Sequence, residues 1–174
     1  MLTEKIKAAI NRQINAELWS AYLYLSMSLD AQSKALKGAA NWFFVQWLEE
    51  QDHARVFQDY MNAQGAKVEL SPIDQVPTSW KSLHEMFRDT LEHEQKVTEM
   101  IEKLIELALS QRDFATFSRL QWFIDEQVEE EDTARTMLEL SAKSDKDELL
   151  LQHLDCELSE RKYVRCPALG MKIE

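Results

Sequence analysis

Helix-breaking residues are scarce in this sequence, which contains three glycines and three prolines among its 174 residues. Because glycine and proline interrupt helices, so few of them favour a small number of long helical segments. Hydrophobic residues make up 45% of the chain, a share that excludes a disordered protein. The length fits one domain that can bury a sizeable core.

Cysteines and long apolar runs are also scarce. The two cysteines, Cys156 and Cys166, are too few for a disulfide framework, and we expect them to be free thiols. No apolar run approaches the roughly 18 residues of a membrane-spanning helix. The opening residues, Met1 to Lys5, lack the apolar stretch of a secretion signal. We therefore predict a cytoplasmic protein with no membrane partner.

Positive charge is in deficit, since 20 lysines and arginines stand against 31 acidic residues and the formal net charge is -11. An anionic protein repels phosphate backbones, so we expect no nucleic-acid partner. An acidic surface or cavity concentrates cations, although such a charge also simply keeps a protein soluble.

Apolar residues recur at helical spacing in four long segments. The predicted helices cover residues 3–33, 39–64, 79–109 and about 113–142. Thr3 and Asp113 are the expected N-caps of the first and fourth helices, and Gly38 is expected in the turn before the second. The stripes predicted to face inward include Leu29 and Ile124.

The segment between the second and third helices has no helical period. Gly65 is expected to end the second helix, and residues 66–78, which include Pro72 and Pro77, are predicted to form an extended connection. Antiparallel neighbours need only short loops, so this longer connection indicates a crossover along the bundle. A short fifth helix is predicted within residues 145–158.

These segments predict an all-α fold: a four-helix bundle with a long crossover between the second and third helices and a short fifth C-terminal helix. We assign residues 1–159 to this bundle and its fifth helix. Residues 160–174 are predicted to form an irregular C-terminal tail.

Polar residues interrupt each inward stripe near its middle. In chain order these residues are Glu17, Glu50, His53, Glu94, Gln127 and Glu130. Charged side chains are rarely buried unless they are paired or bind a metal. Interruptions at similar depth on all four helices therefore predict one shared polar site in the bundle core.

The spacing of these residues indicates two matched helical hairpins. The interval from Glu17 to Glu50 equals the interval from Glu94 to Gln127, and His53 and Glu130 follow at i+3, on the same helix face. Several carboxylates with one imidazole suit a metal that cycles between ferrous and ferric states. The lack of a thiolate argues against a structural zinc site.

The sequence resembles the bacterial non-haem ferritins from Ile6 to about Ser159. The resemblance is carried by the motifs Asn15-Ala-Glu17, Glu49-Glu-Gln-Asp-His53, Leu120-Gln-Trp-Phe-Ile-Asp-Glu-Gln127 and Glu129-Glu-Glu131. It implies an iron-storing ferroxidase that oxidises Fe(II) to Fe(III) with O2 or H2O2. It also implies storage of the ferric product as a mineral inside a hollow octahedral shell of 24 subunits.

The resemblance also implies roles for individual residues. Ligands of the first iron would be Glu17, Glu50 and His53, and ligands of the second would be Glu50 as a bridge, Glu94 and Glu130. Gln127 would sit beside the pair. A third iron would be held by Glu49, Glu126, Glu129 and Glu130. Tyr24 would be an electron donor near the centre, and Trp122 would be a second redox-active neighbour.

The chain departs from two related groups of ferritins. Bacterioferritins have a histidine at the position of Glu130 and a haem-binding methionine at the position of Asp52, so we predict no haem. Animal ferritins line their three-fold channels with acids, whereas the positions that we align with those acids are Phe117 and Leu120. The route by which iron enters is therefore not predicted.

Other interpretations remain open at this level. A different di-iron enzyme on the same bundle, such as a peroxide reductase, would turn over without forming a mineral, and a purely structural bundle would bind no iron. The acids Glu49, Glu126, Glu129 and Glu131 could form a solvated helix face. Tyr24 and Trp122 could simply pack in the core, and His84, His93 and His153 are expected to be surface or structural residues.

Overall fold

The computed structural model describes residues 2–170, which form five α-helices and one short 3-10 turn. The helices are α1 (Glu4–Ser33), α2 (Lys37–Ala63), α3 (Leu83–Ser110), α4 (Phe114–Ser144) and α5 (Glu148–Leu158), and the 3-10 turn is Pro167–Gly170. The predicted all-α architecture with a fifth C-terminal helix is confirmed. None of the described helices is long and apolar enough to cross a membrane.

Side-chain caps fix where the helices begin. The Thr3 hydroxyl accepts a hydrogen bond from the backbone N–H of Ile6 at 3.3 Å, and the Asp113 carboxylate accepts one from Thr116 at 3.0 Å. Both predicted N-caps are therefore confirmed, since each satisfies a backbone donor that the helix leaves unpaired. The predicted start of α3 is wrong by four residues, because Ser82 caps the helix and α3 begins at Leu83.

The connection between α2 and α3 lies along α1, as predicted for a crossover. Its early part is held where the Glu69 N–H donates to Asn11, and its late part where the Trp80 N–H donates to Asp30, both at 3.0 Å. Gly65 lies just beyond α2 with a φ of +67°, a conformation that glycine adopts without strain. Helix α1 packs mainly against α2, and α3 packs mainly against α4, so the four long helices form two hairpins.

Two of the residues expected to face inward are exposed, Leu29 by 63% and Ile124 by 37%. A stripe that advances mostly in four-residue steps rotates by about 40° per step around a helix of 3.6 residues per turn. By the end of α1 that rotation brings Leu29 to the surface, and Met27 and Ala31 take the inward positions. Ile124 lies one residue beyond the buried Phe123, which turns it away from the core.

The core consists of two apolar clusters with a polar layer between them. One cluster contains Ile14, Phe57 and Phe123, and the other contains Tyr24 and Phe43. Phe57 and Phe123 stack with ring centroids 4.1 Å apart. Apolar packing on both sides of the polar layer stabilises the bundle and fixes the position of the layer. The polar residues themselves therefore need not contribute to the stability of the fold.

Gly38 lies inside α2, so its predicted place in the preceding turn is wrong. A Cβ atom built on Gly38 would come 1.5 Å from the carbonyl oxygen of Asp155. Helix α5 therefore approaches α2 more closely than any side chain would allow. The Asp155 carboxylate also accepts a hydrogen bond from the Ala39 N–H at 2.8 Å, which fixes this crossing.

We expect Gly38→Ala to push α5 away from α2 and to lower the stability of the protein by about 1–3 kcal/mol, the usual cost of overpacking. Thermal unfolding of the assembled protein measures the effect. Gly170→Ala is the control, because a Cβ there meets no atom within 4 Å. An unchanged melting temperature in Gly38→Ala would contradict the close approach.

The C-terminal segment after α5 folds back onto α2. Residues 160–166 have no regular secondary structure, as predicted, but Pro167–Gly170 forms a 3-10 turn in which Ala168 is buried. Cys166 is buried and Cys156 is exposed, and both are free thiols as predicted. The last part of the predicted tail, 171–174, lies outside the described residues.

Candidate metal centre

The polar interruptions of all four long helices meet in the layer between the two apolar clusters. Their side chains belong to residues that are at most 8% exposed: Glu17, Glu50, His53, Glu94, Gln127 and Glu130. Buried carboxylates in this number need compensation, because an unpaired buried charge costs several kcal/mol. The layer is therefore suited to cations.

Glu17, Glu50 and His53 form the first group of candidate ligands. One ligand atom from each lies within 4.8 Å of the others, and His53 Nδ1 is 3.3 Å from Glu50 Oε2. The Gln13 amide donates to Glu17 Oε1 at 2.8 Å and orients that carboxylate. One cation can lie among these three side chains.

His53, Glu126 and Glu130 form a second group with the same 4.8 Å limit. His53 Nε2 is 3.6 Å from Glu126 Oε1, so the two nitrogens of this ring face acids of different helices. The Gln46 amide donates to Glu130 Oε2 at 2.9 Å. Glu130 therefore lies close to both His53 and Glu126.

Glu94 lies outside both groups and is held by two other side chains. The Tyr24 hydroxyl donates to its carboxylate. The Gln127 amide is 3.2 Å from the Glu94 backbone oxygen and 3.3 Å from Glu94 Oε2. Gln127, which breaks the symmetry between the two hairpins, thus orients a carboxylate of the neighbouring helix.

Burial and mutual repulsion make these acids hold protons. Burial, reinforced by the charge of Glu50, raises the pKa of Glu17 from its ordinary 4.5 to about 8 and that of Glu130 to about 7. The pKa of Glu94 is raised well above its ordinary value for the same reasons. Burial also opposes ionisation of Glu50, but the charge and hydrogen bond of His53 outweigh it and lower that pKa. A cation that binds here would release protons.

The residues expected at a third iron are only partly assembled. Glu126 and Glu130 lie together beside His53, but Glu129 is exposed and belongs to neither group of candidate ligands. Glu49 accepts a hydrogen bond from Arg161, whose Nη2 atom lies 2.5 Å from Glu49 Oε2. The guanidinium of Arg161 is therefore already paired with Glu49, one of the four acids expected to bind the third iron.

Aromatic rings border the centre on both sides. The Trp122 ring lies 5.5 Å from the His53 ring, and the Tyr24 ring lies 6.0 Å from that of His93. His93 is half-buried, the loss of hydration lowers its pKa to about 4, and its Nε2 atom is 2.7 Å from the Ser20 hydroxyl. His93 also packs against Trp19, and its structural role stays a prediction.

The remaining singled-out residues lie away from the centre. His84 lies 3.3 Å from the Ser141 hydroxyl, and His153 lies on the surface beside Glu157. Leu120 is buried in the first apolar cluster, and Phe117 packs against that cluster. Neither of these two positions, which align with channel acids of animal ferritins, supplies a charge.

Gln13 and Gln46 donate hydrogen bonds to candidate ligands, and the sequence interpretation missed both. Each lies four residues before a candidate ligand, Gln13 before Glu17 and Gln46 before Glu50. That repeated spacing could have identified both amides as neighbours of the ligands. The sequence could not have shown that Gln46 contacts Glu130, because this contact joins α2 to α4 across the bundle.

Two paired helical hairpins with a buried layer of carboxylates, amides and one histidine define a class of protein: the four-helix bundles with a carboxylate-rich core able to hold cations. The sequence matches the Ferritin family, described as a ferritin-like domain, over residues 7–143. The chain therefore belongs to the ferritin family.

Individual relatives agree with this assignment. The bacterial non-heme ferritin of Campylobacter jejuni is 37% identical over 172 residues, which is 99% of both chains. The bacterial non-heme ferritin of Bacteroides fragilis is 40% identical over 139 residues, covering 80% of this chain and 87% of that one. A solved structure of an open pore ferritin from Archaeoglobus fulgidus is 44% identical, with a TM-score of 0.92, and covers 93% of this chain and 100% of that one.

Proposed function

We propose that this chain oxidises Fe(II) to Fe(III) at a pair of iron positions inside each subunit and stores the product as a ferric mineral in a hollow shell. The observation that carries this proposal is the buried layer in which Glu17, Glu50 and His53 place ligand atoms within 4.8 Å of one another. A site of hard oxygen ligands with one imidazole suits an ion that becomes ferric.

Each residue of the layer has a distinct task in this proposal. Glu17, Glu50 and His53 hold the first ferrous ion, and Glu50 bridges to a second ion that Glu94 and Glu130 also hold. Gln13 and Gln46 keep the carboxylates of Glu17 and Glu130 turned towards the ions through their hydrogen bonds. Gln127 does the same for Glu94.

The electron and proton balance of the reaction is simple. Each pair of ferrous ions gives up two electrons, which with two protons reduce O2 to H2O2, or H2O2 to water. Protons are at hand because burial raises the pKa of Glu17 to about 8, so this carboxyl is protonated at neutral pH until a cation displaces its proton. Because bulk water is excluded from the buried layer, the electrostatic attraction between the carboxylates and the ions is stronger than it would be in water.

A shell of 24 subunits with octahedral symmetry is part of the same proposal. Large apolar side chains are exposed on the surface of one chain, including Tyr22 by 52% and Phe44 by 43% on the first hairpin and Leu149 by 77% on α5. These exposed side chains support contacts with other subunits. Helix α5 would then pack around the four-fold axes. Glu49, Glu126, Glu129 and Glu130 are proposed to form a weaker position for a third iron.

The proposal is tested by adding Fe(II) to the iron-free protein under anaerobic conditions, then admitting air. Ferric absorbance and particle size are recorded together. We expect rapid oxidation of two irons per chain followed by growth of a mineral inside a particle of constant outer size. A wild-type protein that leaves Fe(II) unoxidised contradicts the proposed reaction, and a stable monomer contradicts storage.

We expect Tyr24→Phe to slow the first phase of oxidation, because the Tyr24 hydroxyl orients Glu94 and stands next to the proposed centre as an electron donor. A hydrogen bond worth about 1 kcal/mol corresponds to about a fivefold change in rate. The initial rate of ferric absorbance is the measurement. Tyr60→Phe is the matched control, since Tyr60 is also buried but contacts Thr116 instead. Equal rates in the two variants would contradict a role for Tyr24.

A further inference from the structure

We name residues 160–170 the C-terminal strap. Hydrogen bonds join the strap to one residue of α2 that precedes Glu49 in the sequence and to one that follows it. Before Glu49, the Asn41 amide donates to the backbone oxygen of Arg161 at 2.9 Å. After Glu49, the Asp52 carboxylate accepts from the Tyr163 hydroxyl at 2.6 Å and from the Cys166 N–H at 2.9 Å. The strap is therefore held by specific bonds at both ends.

These ties place the side chain of Arg161 at the edge of the acidic layer. Its Nη2 atom bonds Glu49, and its Cζ atom lies 4.3 Å from the centre of the Trp42 ring, a cation–π contact. The Nη1 atom is buried and has no hydrogen-bond partner among residues 2–170. Because a guanidinium stays charged at any ordinary pH, a permanent positive charge is fixed here.

Arg161 is paired with Glu49, one of the acids proposed to hold a third iron. Its Nη2 atom lies 2.5 Å from Glu49 Oε2, and the two side chains are only 22% and 21% exposed. Arg161 thus compensates an acid that a metal ion would otherwise compensate.

We propose that the guanidinium of Arg161 is a built-in cation that takes the place of the third iron, so that this position admits an iron only when Arg161 leaves Glu49. This inference rests on the proposed function, because it concerns the position beside the proposed di-iron centre. A third ferrous ion would have to compete with the guanidinium for the Glu49 carboxylate and would meet its repulsion. The strap makes that competition unfavourable, since Asn41 and Trp42 contact Arg161 directly and Asp52 fixes the strap at Tyr163 and Cys166.

The test counts the ferrous ions that the assembled, iron-free protein binds under anaerobic conditions, by titration calorimetry. We expect the wild type to bind two ions per chain tightly and a third at least about tenfold more weakly. Arg161→Gln should bind the third ion at least about tenfold more tightly than the wild type does. Arg161→Lys keeps the positive charge and should stay close to the wild type.

Arg55→Gln is the matched control, because it makes the same change of charge on α2 at an exposed arginine that lies 3.8 Å from Asp59. It should bind iron as the wild type does. An Arg161→Gln protein that binds two ions and no third overturns the inference but leaves the proposed oxidation at two irons intact. An Arg161→Lys protein that gains the third ion does the same.

If Arg161→Gln fails to fold, the iron titration of the wild type still tests the inference. Three ferrous ions bound with equal affinity by the wild type would overturn the inference, whereas a third ion about tenfold weaker supports it. Failure of the proposed function has a different signature: no chain, wild type or variant, would bind ferrous ions at all.

Discussion

Glu50→Ala is expected to lower the initial rate of Fe(II) oxidation at least about a hundredfold, because loss even of a residue that only supports a ligand costs about 10–100-fold. Glu50 has the central place in the layer: its carboxylate lies 3.3 Å from His53 and belongs to the same group of atoms as Glu17. It is also the residue proposed to bridge the two irons. Stopped-flow ferric absorbance measures the rate.

The matched control for this variant is Glu92→Ala on α3. Glu92 has the same side chain but is exposed, with Arg88 at 3.9 Å as its nearest ionic partner. Circular dichroism must show that both variants remain helical, so that loss of oxidation is not loss of fold. If the Glu50→Ala protein oxidises iron at a rate within about twofold of the Glu92→Ala rate, Glu50 is not a ligand of the iron centre.

The second large effect concerns the protein without iron: Glu17→Gln should be more stable than the wild type at pH 8. The pKa of Glu17 is raised from 4.5 to about 8 by burial first and by Glu50 second. An acid with a raised pKa contributes its full stability below its unfolded pKa and loses it as the pH rises through the folded value. The wild type should therefore lose stability between about pH 4.5 and pH 8.

Glutamine removes this loss because it carries no charge and still offers an oxygen to the Gln13 amide, which lies 2.8 Å from Glu17 Oε1. A gain of about 2 kcal/mol would raise the melting temperature by about 4–8 °C in a chain of this size. Thermal unfolding across this pH range is the measurement. Glu99→Gln, at an exposed position paired with Lys103, is the control and should change little.

Ferrous iron should reverse the order of stability. A ligand that binds only the folded state stabilises it by mass action, and the wild type has the complete set of carboxylates. The iron-loaded wild type should therefore melt above iron-loaded Glu17→Gln, although the iron-free proteins melt in the opposite order. An iron-free Glu17→Gln protein that is less stable than the wild type at pH 8 would contradict the proposed cost of the acidic layer.

Both predictions express one property of the molecule. The two apolar clusters stabilise the bundle, and the layer between them sacrifices stability to create a site for cations. Residues that lower the stability of the fold in order to form a binding site are expected at functional sites. It also explains why the layer was visible in the sequence, since charged residues at inward helix positions have few purely structural reasons to be there.

The sequence could predict what depends on local periodicity. Helical spacing located the long helices, the caps Thr3 and Asp113, and the polar interruptions. It failed where geometry depends on a distant partner: Gly38 lies inside α2, at the point where α5 crosses too closely for a side chain. Leu29 was misplaced because a repeat of mostly four residues does not match the 3.6-residue period of a straight helix.

The contacts of Arg161 were beyond sequence reasoning for the same reason. Glu49 and Arg161 are separated by α3, α4 and α5 in the chain, and no periodic pattern joins them. The family resemblance predicted Glu49 as an iron ligand without showing what lies next to it. The finer functional differences within the ferritin family are therefore expected in such long-range contacts of individual chains.

The most direct test of the di-iron proposal is anomalous diffraction at the iron edge from crystals soaked anaerobically in Fe(II). We predict two strong peaks per chain in the polar layer, one bounded by Glu17, Glu50 and His53 and the other by Glu50, Glu94 and Glu130. Iron found only on the surface, with no peak between these side chains, would contradict the proposed centre.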